Sequence, residues 1–348
     1  MSIPVGGLAP RFTAATVTNP RFPSAGFGGR YVLLAFLPAT AEARQGALGA
    51  LAAHRRLFDD VRISAFGVLR DEYSISLARD QVGLRWFLDR DGAVSRLYDA
   101  LGPDGEEAPG WVLIDPFEVV LAAMPLEAAD PFFALVRDLP EPADHAGVPL
   151  TAPVLVAPRI LDPDLCRRLV AHYDGAGGEA SGVMREIGGK TVAVLDDYKR
   201  RRDATITDEA LIGEVHARLV HRLLPQIQKA FQFRATQVER NIVACYDAAD
   251  GGYFLPHRDD TTKGTAHRRF ACTINLNTED YEGGDLRFPE FGPRCYRAPT
   301  GGAVVFSCSL LHEATPVTRG RRYAYLPFLY DDAAAAVRAA NLDSLAQP

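Results

Sequence analysis

No cysteine precedes Cys166 in this 348-residue sequence, and the five present (Cys166, Cys245, Cys272, Cys295 and Cys308) are scattered through the second half. Such spacing offers no Cys-x-x-Cys pair for zinc or dithiol redox chemistry and no disulfide framework. The thiols therefore read as small core residues. Long apolar runs are also missing: nothing approaches the roughly 20 residues that cross a bilayer, so no membrane-spanning segment is expected. Met1-Ser-Ile-Pro-Val-Gly-Gly has neither the basic start nor the apolar centre of a secretory signal, which points to the cytoplasm. Basic excess is absent too. With 38 Lys and Arg against 44 Asp and Glu, the formal charge is -6, which gives no general field for nucleic acid. What remains, 47% hydrophobic and 24% charged residues, is the composition of an ordinary globular protein.

The length predicts two domains. From residue 30 short apolar strands alternate with helical stretches: strands at 31–37, 63–69, 84–88 and 110–115, helices at 41–58, 73–81, 94–100 and 131–138. That rhythm predicts a small α/β sheet covered by helices. The Pro-rich run 139–149 then reads as a linker, so a first domain over 1–145 is expected. The second, over 150–332, opens on a helix after Asp162-Pro163, with Asp162 as N-cap and Pro163 at the first helical position. A long amphipathic helix follows at 208–231, then short strands at 238–246, 269–277, 285–288, 303–307 and 323–330. Helices first and strands afterwards predict a β-sandwich or barrel with a helical buttress. An Ala-rich helical tail covers 333–348.

His257-Arg258-Asp259 places two metal ligands at i and i+2, on one face of an extended segment. His312 supplies a third, just after the apolar run that ends at Phe306. Isolated His-x-Asp pairs are mostly ordinary side chains, but two histidines with one carboxylate make the facial triad that leaves iron open to a chelating co-substrate and O2. Ten residues on, Arg322 lies on a strand whose alternation groups it with Ala324, Leu326 and Phe328, pointing it inward. A buried arginine there can hold the distal carboxylate of a 2-oxo dicarboxylate. Arg321 is the competing candidate, because a bulge would exchange the two faces.

These residues resemble a known family, the prolyl 4-hydroxylase-type branch of the Fe(II)- and 2-oxoglutarate-dependent oxygenases, over about residues 155–331. The resemblance is carried by Cys245-Tyr-Asp-Ala-Ala-Asp-Gly-Gly-Tyr-Phe-Leu-Pro-His-Arg-Asp259, by Arg269 to Asn277, by Glu282-Gly-Gly-Asp-Leu-Arg-Phe-Pro289, and by His312-Glu-Ala-Thr-Pro-Val-Thr-Arg-Gly-Arg-Arg322. It implies a double-stranded β-helix (jelly-roll) core, iron on His257, Asp259 and His312, and 2-oxoglutarate on Arg322 with Tyr246 lining its pocket. Asn275 stands where some relatives carry a pocket tyrosine, and Tyr253 is one residue further from the metal motif than in some relatives. The reaction implied is hydroxylation of a C–H bond of a peptidyl, amino-acid or small-molecule substrate, with O2 consumed, succinate and CO2 released, and ascorbate as a candidate reductant.

The first half is similar to the peroxiredoxin-like thioredoxin fold over about residues 4–138, through Gly7-Leu-Ala-Pro-Arg-Phe12, Gly29 to Thr40 and Gly110 to Pro116. The thiol of that family is missing: after Pro38-Ala-Thr40 the sequence reads Ala-Glu-Ala-Arg-Gln-Gly. Without a thiolate there is no nucleophile for peroxide, so a scaffold, substrate-presenting or dimerisation role is expected, a homodimer included. The segment 196–203 reads as a solvated loop or as a lid whose Arg200 to Arg202 meet an acidic substrate. His216 and His221 do not have the i, i+4 spacing of a helical ligand pair. Two other readings compete: a non-catalytic binding or scaffold protein, and a jelly-roll metalloenzyme using another metal without 2-oxoglutarate.

Overall fold

A computed structural model describes residues 3–345. Met1 and Ser2 of the expected first domain, and residues 346–348 of the expected tail, lie outside the described residues. The chain divides into two compact units, residues 1–151 with 289–293, and residues 152–288 with 294–348.

In the first unit a five-stranded sheet runs in the order Leu84–Leu88, Ile63–Leu69, Tyr31–Phe36, Gly110–Ile114, Val120–Pro125. The first three strands are parallel and the last two antiparallel. Tyr31–Phe36 and Ile63–Leu69 are buried at every position, as expected of central strands covered on both faces. One face packs Leu33, Ala35, Trp111 and Leu113 against Leu51, Phe132 and Phe133 of the helices Ala41–Ala53 and Ala129–Asp138. The other packs Val32, Leu34, Phe66 and Val112 against Phe27, Val94 and Tyr98. This is the thioredoxin-like arrangement the first half was expected to adopt.

Helix boundaries differ from the sequence reading where local chemistry intervenes. Helix Glu72–Leu77 stops short of residue 81, and Ala41–Ala53 ends before a separate 3-10 turn at Arg55–Leu57. The helix expected at 208–231 is three pieces, Glu209–Arg218, a π-turn at Leu219–Leu223 and Leu224–Phe231. Pro225 accounts for the break, since it lacks an N–H and its ring cannot pass the preceding turn's carbonyl. Asp208 does cap, accepting from the amides of Ala210 and Leu211. Asp162 sits at the N-cap of Pro163–Ala176 but makes no cap bond. Its carboxylate is instead held by Arg218 and Arg222 at 2.9 and 2.8 Å.

The second unit is built on two antiparallel sheets, one of nine strands and one of five, in the jelly-roll class. On one face of the larger sheet, helix residues Leu165, Leu169, Leu211, Val215, Leu219 and Ile227 share a core with Val243, Cys245, Cys272 and Tyr325. Its other face contributes Ile242, Ala244, Tyr246 and Ala324 to a second core with Phe254 and Ala314 of the smaller sheet. Alternation along Ile242–Asp247 thus sends Val243 and Cys245 to the helices and Ala244 and Tyr246 to the space between the sheets. Each fully buried leucine on the helix side contributes roughly 1.5–3 kcal/mol of transfer free energy. The strand expected over 238–246 is broken into Gln237–Glu239 and Ile242–Asp247, with Arg240 between them at φ 75°. Segment 196–203 is not a free loop. Lys199–Arg200 pairs with Tyr253–His257 of the smaller sheet, and Arg202–Thr205 pairs with Ile242–Asp247 of the larger one. Among the described residues no helix is long and apolar enough to cross a membrane.

Candidate metal centre

Strands Tyr253–His257 and His312–Ala314 pair antiparallel, and His257 and His312 are direct Cα partners in that register. Cross-strand partners put their side chains on the same face, so two histidines far apart in sequence converge without any loop having to hold them. Asp259 lies just past the strand end, where its amide donates to the Cys308 carbonyl at 2.9 Å. One ligand atom from each of His257, Asp259 and His312 lies within 4.8 Å of the others. The Asp259 carboxylate stands 3.6 Å from His257 Nε2 and 3.3 Å from His312 Nε2.

The tautomers follow from the backbone. His257 Nδ1 lies 2.8 Å from the Leu255 carbonyl and His312 Nδ1 3.0 Å from the Leu310 carbonyl. A carbonyl only accepts, so each Nδ1 carries a proton, and each Nε2, on the Asp259 side, is the nitrogen left to coordinate an ion. Burial, with the neighbouring His312, pushes the His257 imidazole down to about 4. Burial works against ionisation of Asp259, yet His312 and His257 hold its carboxyl well below the usual range. Two imidazoles and one carboxylate are the donor set for a divalent first-row ion. Aromatic rings wall the ligands: Phe254 stacks on His257 with centroids 3.4 Å apart, and Phe306 meets His312 edge-on at 4.5 Å.

Arg322 and Arg321 separate as alternation requires. Arg321 is exposed and paired with Asp247 at 2.8 Å. Arg322 is 2% exposed, and its Nε and Nη1 are buried without a hydrogen-bond partner. Its Cα partner is Tyr246, and its guanidinium lies 4.9 Å from the centre of the Tyr246 ring. Asn275 pairs with Ala324 on the same inner face. It donates through Nδ2 to the Ala298 carbonyl at 2.8 Å, while its Oδ1 is buried without a partner. A guanidinium with two idle donors in a dry site is costly unless an anion completes it. Arg322, over the Tyr246 ring, therefore offers donors that fit a carboxylate, whereas the idle Asn275 Oδ1 is an acceptor and calls for a donor.

Residues 242–330 match the 2OG-Fe(II) oxygenase superfamily. A PKHD-type hydroxylase of Synechococcus sp. is 31% identical over 149 residues, covering 35% of this chain and 66% of that protein. The chain thus spans just under two thirds of the length of the curated relatives it matches there. Among solved structures, a prolyl hydroxylase from Trichoplax adhaerens in complex with a hypoxia inducible factor oxygen degradation domain peptide is 17% identical, with a TM-score of 0.40 over 55% of this chain and 87% of that one. A Plasmodium yoelii thioredoxin peroxidase I is 22% identical, with a TM-score of 0.34 over 39% of this chain and 90% of that one.

Some residues near the metal ligands carry no sequence signal of their own. In the sequence Phe254 is only part of the approach to the metal motif, and in the structure it covers His257. Lys199 and Arg201 looked like members of a solvated basic run, yet they are 9% and 7% exposed while Arg200 and Arg202 face outward. Strand alternation could have separated them, had the segment been recognised as extended. His216 hydrogen-bonds Asn241 at 2.9 Å and is not grouped with any metal ligand. Tyr253 donates its hydroxyl to the Asp197 carbonyl at 2.7 Å, on the outside of the site.

Proposed function

We propose that the second unit is an Fe(II)- and 2-oxoglutarate-dependent dioxygenase of the prolyl-hydroxylase type, which hydroxylates a C–H bond of a peptidyl, amino-acid or small-molecule substrate and forms succinate and CO2. The observation that carries this reading is the buried Arg322, with two donors lacking hydrogen-bond partners, on the inner face of the larger sheet, while the smaller sheet bears His257 and His312. Iron, when bound with 2-oxoglutarate and O2, supplies the oxidising power that no side chain has. His257 and His312 would hold it through Nε2 and Asp259 through its carboxylate, leaving the remaining positions to the co-substrate and O2. Arg322 would take the distal carboxylate in a charge-assisted pair, and Tyr246 would brace that guanidinium through its ring face. Phe254 and Phe306 exclude water from the ligand side of the site, which protects a reactive centre from side reactions.

We assign residues 150–332 to this domain, with the helices on its larger sheet acting as a buttress, and residues 333–348 to a tail. Residues 1–145 are read as a non-catalytic thioredoxin-fold domain. Ascorbate is the reductant we expect to keep the metal ferrous, and the cytoplasm the expected compartment. The test is anaerobic addition of Fe(II) and 2-oxoglutarate: a weak charge-transfer band should appear and be lost in His257→Ala. A wild type that gives neither the band nor succinate would rule this function out.

A further inference from the structure

Cations gather beside the metal ligands in excess of what the co-substrate reading uses. Lys199 lies with its Nζ 4.9 Å from the centre of the Phe254 ring, the same ring that stacks on His257. Its ammonium donates to the Gly182 carbonyl. Two residues on, Arg201 faces the same way. It pairs with Asp203 at 2.7 Å, donates to Ser181 Oγ at 3.1 Å and reaches the Tyr246 hydroxyl at 3.4 Å, while its Nε is buried without a partner. Arg240, at the break between two strands, donates only to the Leu326 carbonyl, at 3.3 and 3.2 Å, and lies 4.6 Å over the Phe328 ring. Leu326, Tyr246 and Phe254 belong to one core between the two sheets, so the three cations converge on that space. Both Lys199 and Arg240 feel the Asp259 charge.

The charges do not balance. Arg268 is answered by Glu239 at 2.8 Å and Arg201 by Asp203. Asp259 is committed to the metal and Arg322 to the co-substrate. Among the described residues, neither Lys199 nor Arg240 meets a carboxylate. Burying unpaired positive charge is unfavourable, and such charge persists in a site when a ligand neutralises it. Burial and the neighbouring arginine push the Lys199 ammonium down to about 6, so near neutral pH the empty site favours the free amine and a bound anion would restore its charge.

We propose that Lys199 and Arg240, aligned by Arg201, form the substrate's anion site, so that the molecule oxidised carries a carboxylate near the carbon presented to the metal. This rests on the oxygenase reading and gives it a substrate class. The carboxylate can belong to a free acid or to an acidic residue beside the target residue of a peptide.

The experiment loads the full chain with Mn(II), which binds without turnover, and saturating 2-oxoglutarate, then measures binding calorimetrically. The probes are glutarate, adipate, a blocked prolyl peptide flanked by glutamates and the same peptide flanked by glutamines. Saturable binding of a free dicarboxylate identifies the first source, and of the glutamate peptide the second. Either should be at least about tenfold tighter than the glutamine peptide. That preference should be lost in Lys199→Gln with Arg240→Gln and kept in the outward-facing pair Arg200→Gln with Arg202→Gln. Should the double variant fail to fold, the single variants carry the same comparison. The proposal is overturned if no carboxylate probe binds, if the glutamine peptide binds equally well, or if the preference survives in the variants. Failure of the oxygenase reading shows separately, as absence of the Fe(II) and 2-oxoglutarate band in the wild type.

Discussion

Tyr246 and Arg322 are cross-strand partners, and the Arg322 guanidinium lies 4.9 Å from the centre of the Tyr246 ring with two of its donors idle. If those donors hold the distal carboxylate of 2-oxoglutarate, Arg322→Met removes a charge-assisted pair in a dry site. A loss of about 3 kcal/mol corresponds to roughly 100-fold weaker 2-oxoglutarate binding. Arg321→Met, which breaks an exposed pair with Asp247, should change it by less than about twofold. Titration of 2-oxoglutarate into the metal-loaded variants reads both. Equal effects from the two arginines would mean that alternation does not assign the co-substrate residue.

Gly284 tests the same arginine without touching a ligand. It holds φ at 67°, and a Cβ placed there would stand 2.8 Å from Val317 Cγ2 and 2.9 Å from Arg322 Cδ. Gly284→Ala must therefore push the Arg322 side chain aside and also strain the backbone. We expect 2-oxoglutarate affinity to fall on the order of tenfold or more, since small misplacements of a binding group are costly, with metal affinity unchanged. Unchanged co-substrate binding would show that Arg322 is not held by this packing, or does not hold the co-substrate.

The first unit makes a negative prediction. Its sheet and helices form, but no thiol lies in it, and of the five cysteines in the chain only Cys295 is exposed. Cys166, Cys245, Cys272 and Cys308 are buried, and burial pushes each thiol up, away from the reactive thiolate. Peroxide consumption in the presence of a dithiol should not exceed that of the reductant alone. A catalysed rate, lost on alkylation, would reveal a nucleophile elsewhere.

How far the sequence could be read depended on whether a signal was local. Strand alternation is local, so it separates Arg322 from Arg321 in the sequence alone. The ligand triad was legible because His257 and Asp259 are two residues apart and the segment before His312 is a plain apolar strand. The pairing of His257 with His312 and the stacking of Phe254 were not, because both arise from strand register between distant segments. The basic run at 199–202 misled for a related reason. Charged residues are normally solvated, and nothing short of the two sheet edges that this segment bridges tells Lys199 and Arg201 to turn inward. Pro225 was visible in the sequence, but an amphipathic pattern hides a break that shifts phase by only one residue.

The depressed His257 value has a measurable sign. A histidine free in the unfolded chain titrates near 6.5, whereas burial, with His312 beside it, pushes His257 down to about 4 in the folded chain. Between about 6.5 and 4 the unfolded state therefore binds the proton and the folded state does not. Stability from this residue is fully present above about 6.5 and is lost as pH falls through that window. The same neutral imidazole is the form that coordinates a metal, so protons should compete weakly with metal at His257 until the pH nears 4. Urea unfolding of the metal-free protein between pH 7.5 and 5 should show the midpoint of the wild type falling more steeply than that of His257→Gln, which cannot titrate. Parallel slopes would mean that His257 is not the group taking up the proton on unfolding.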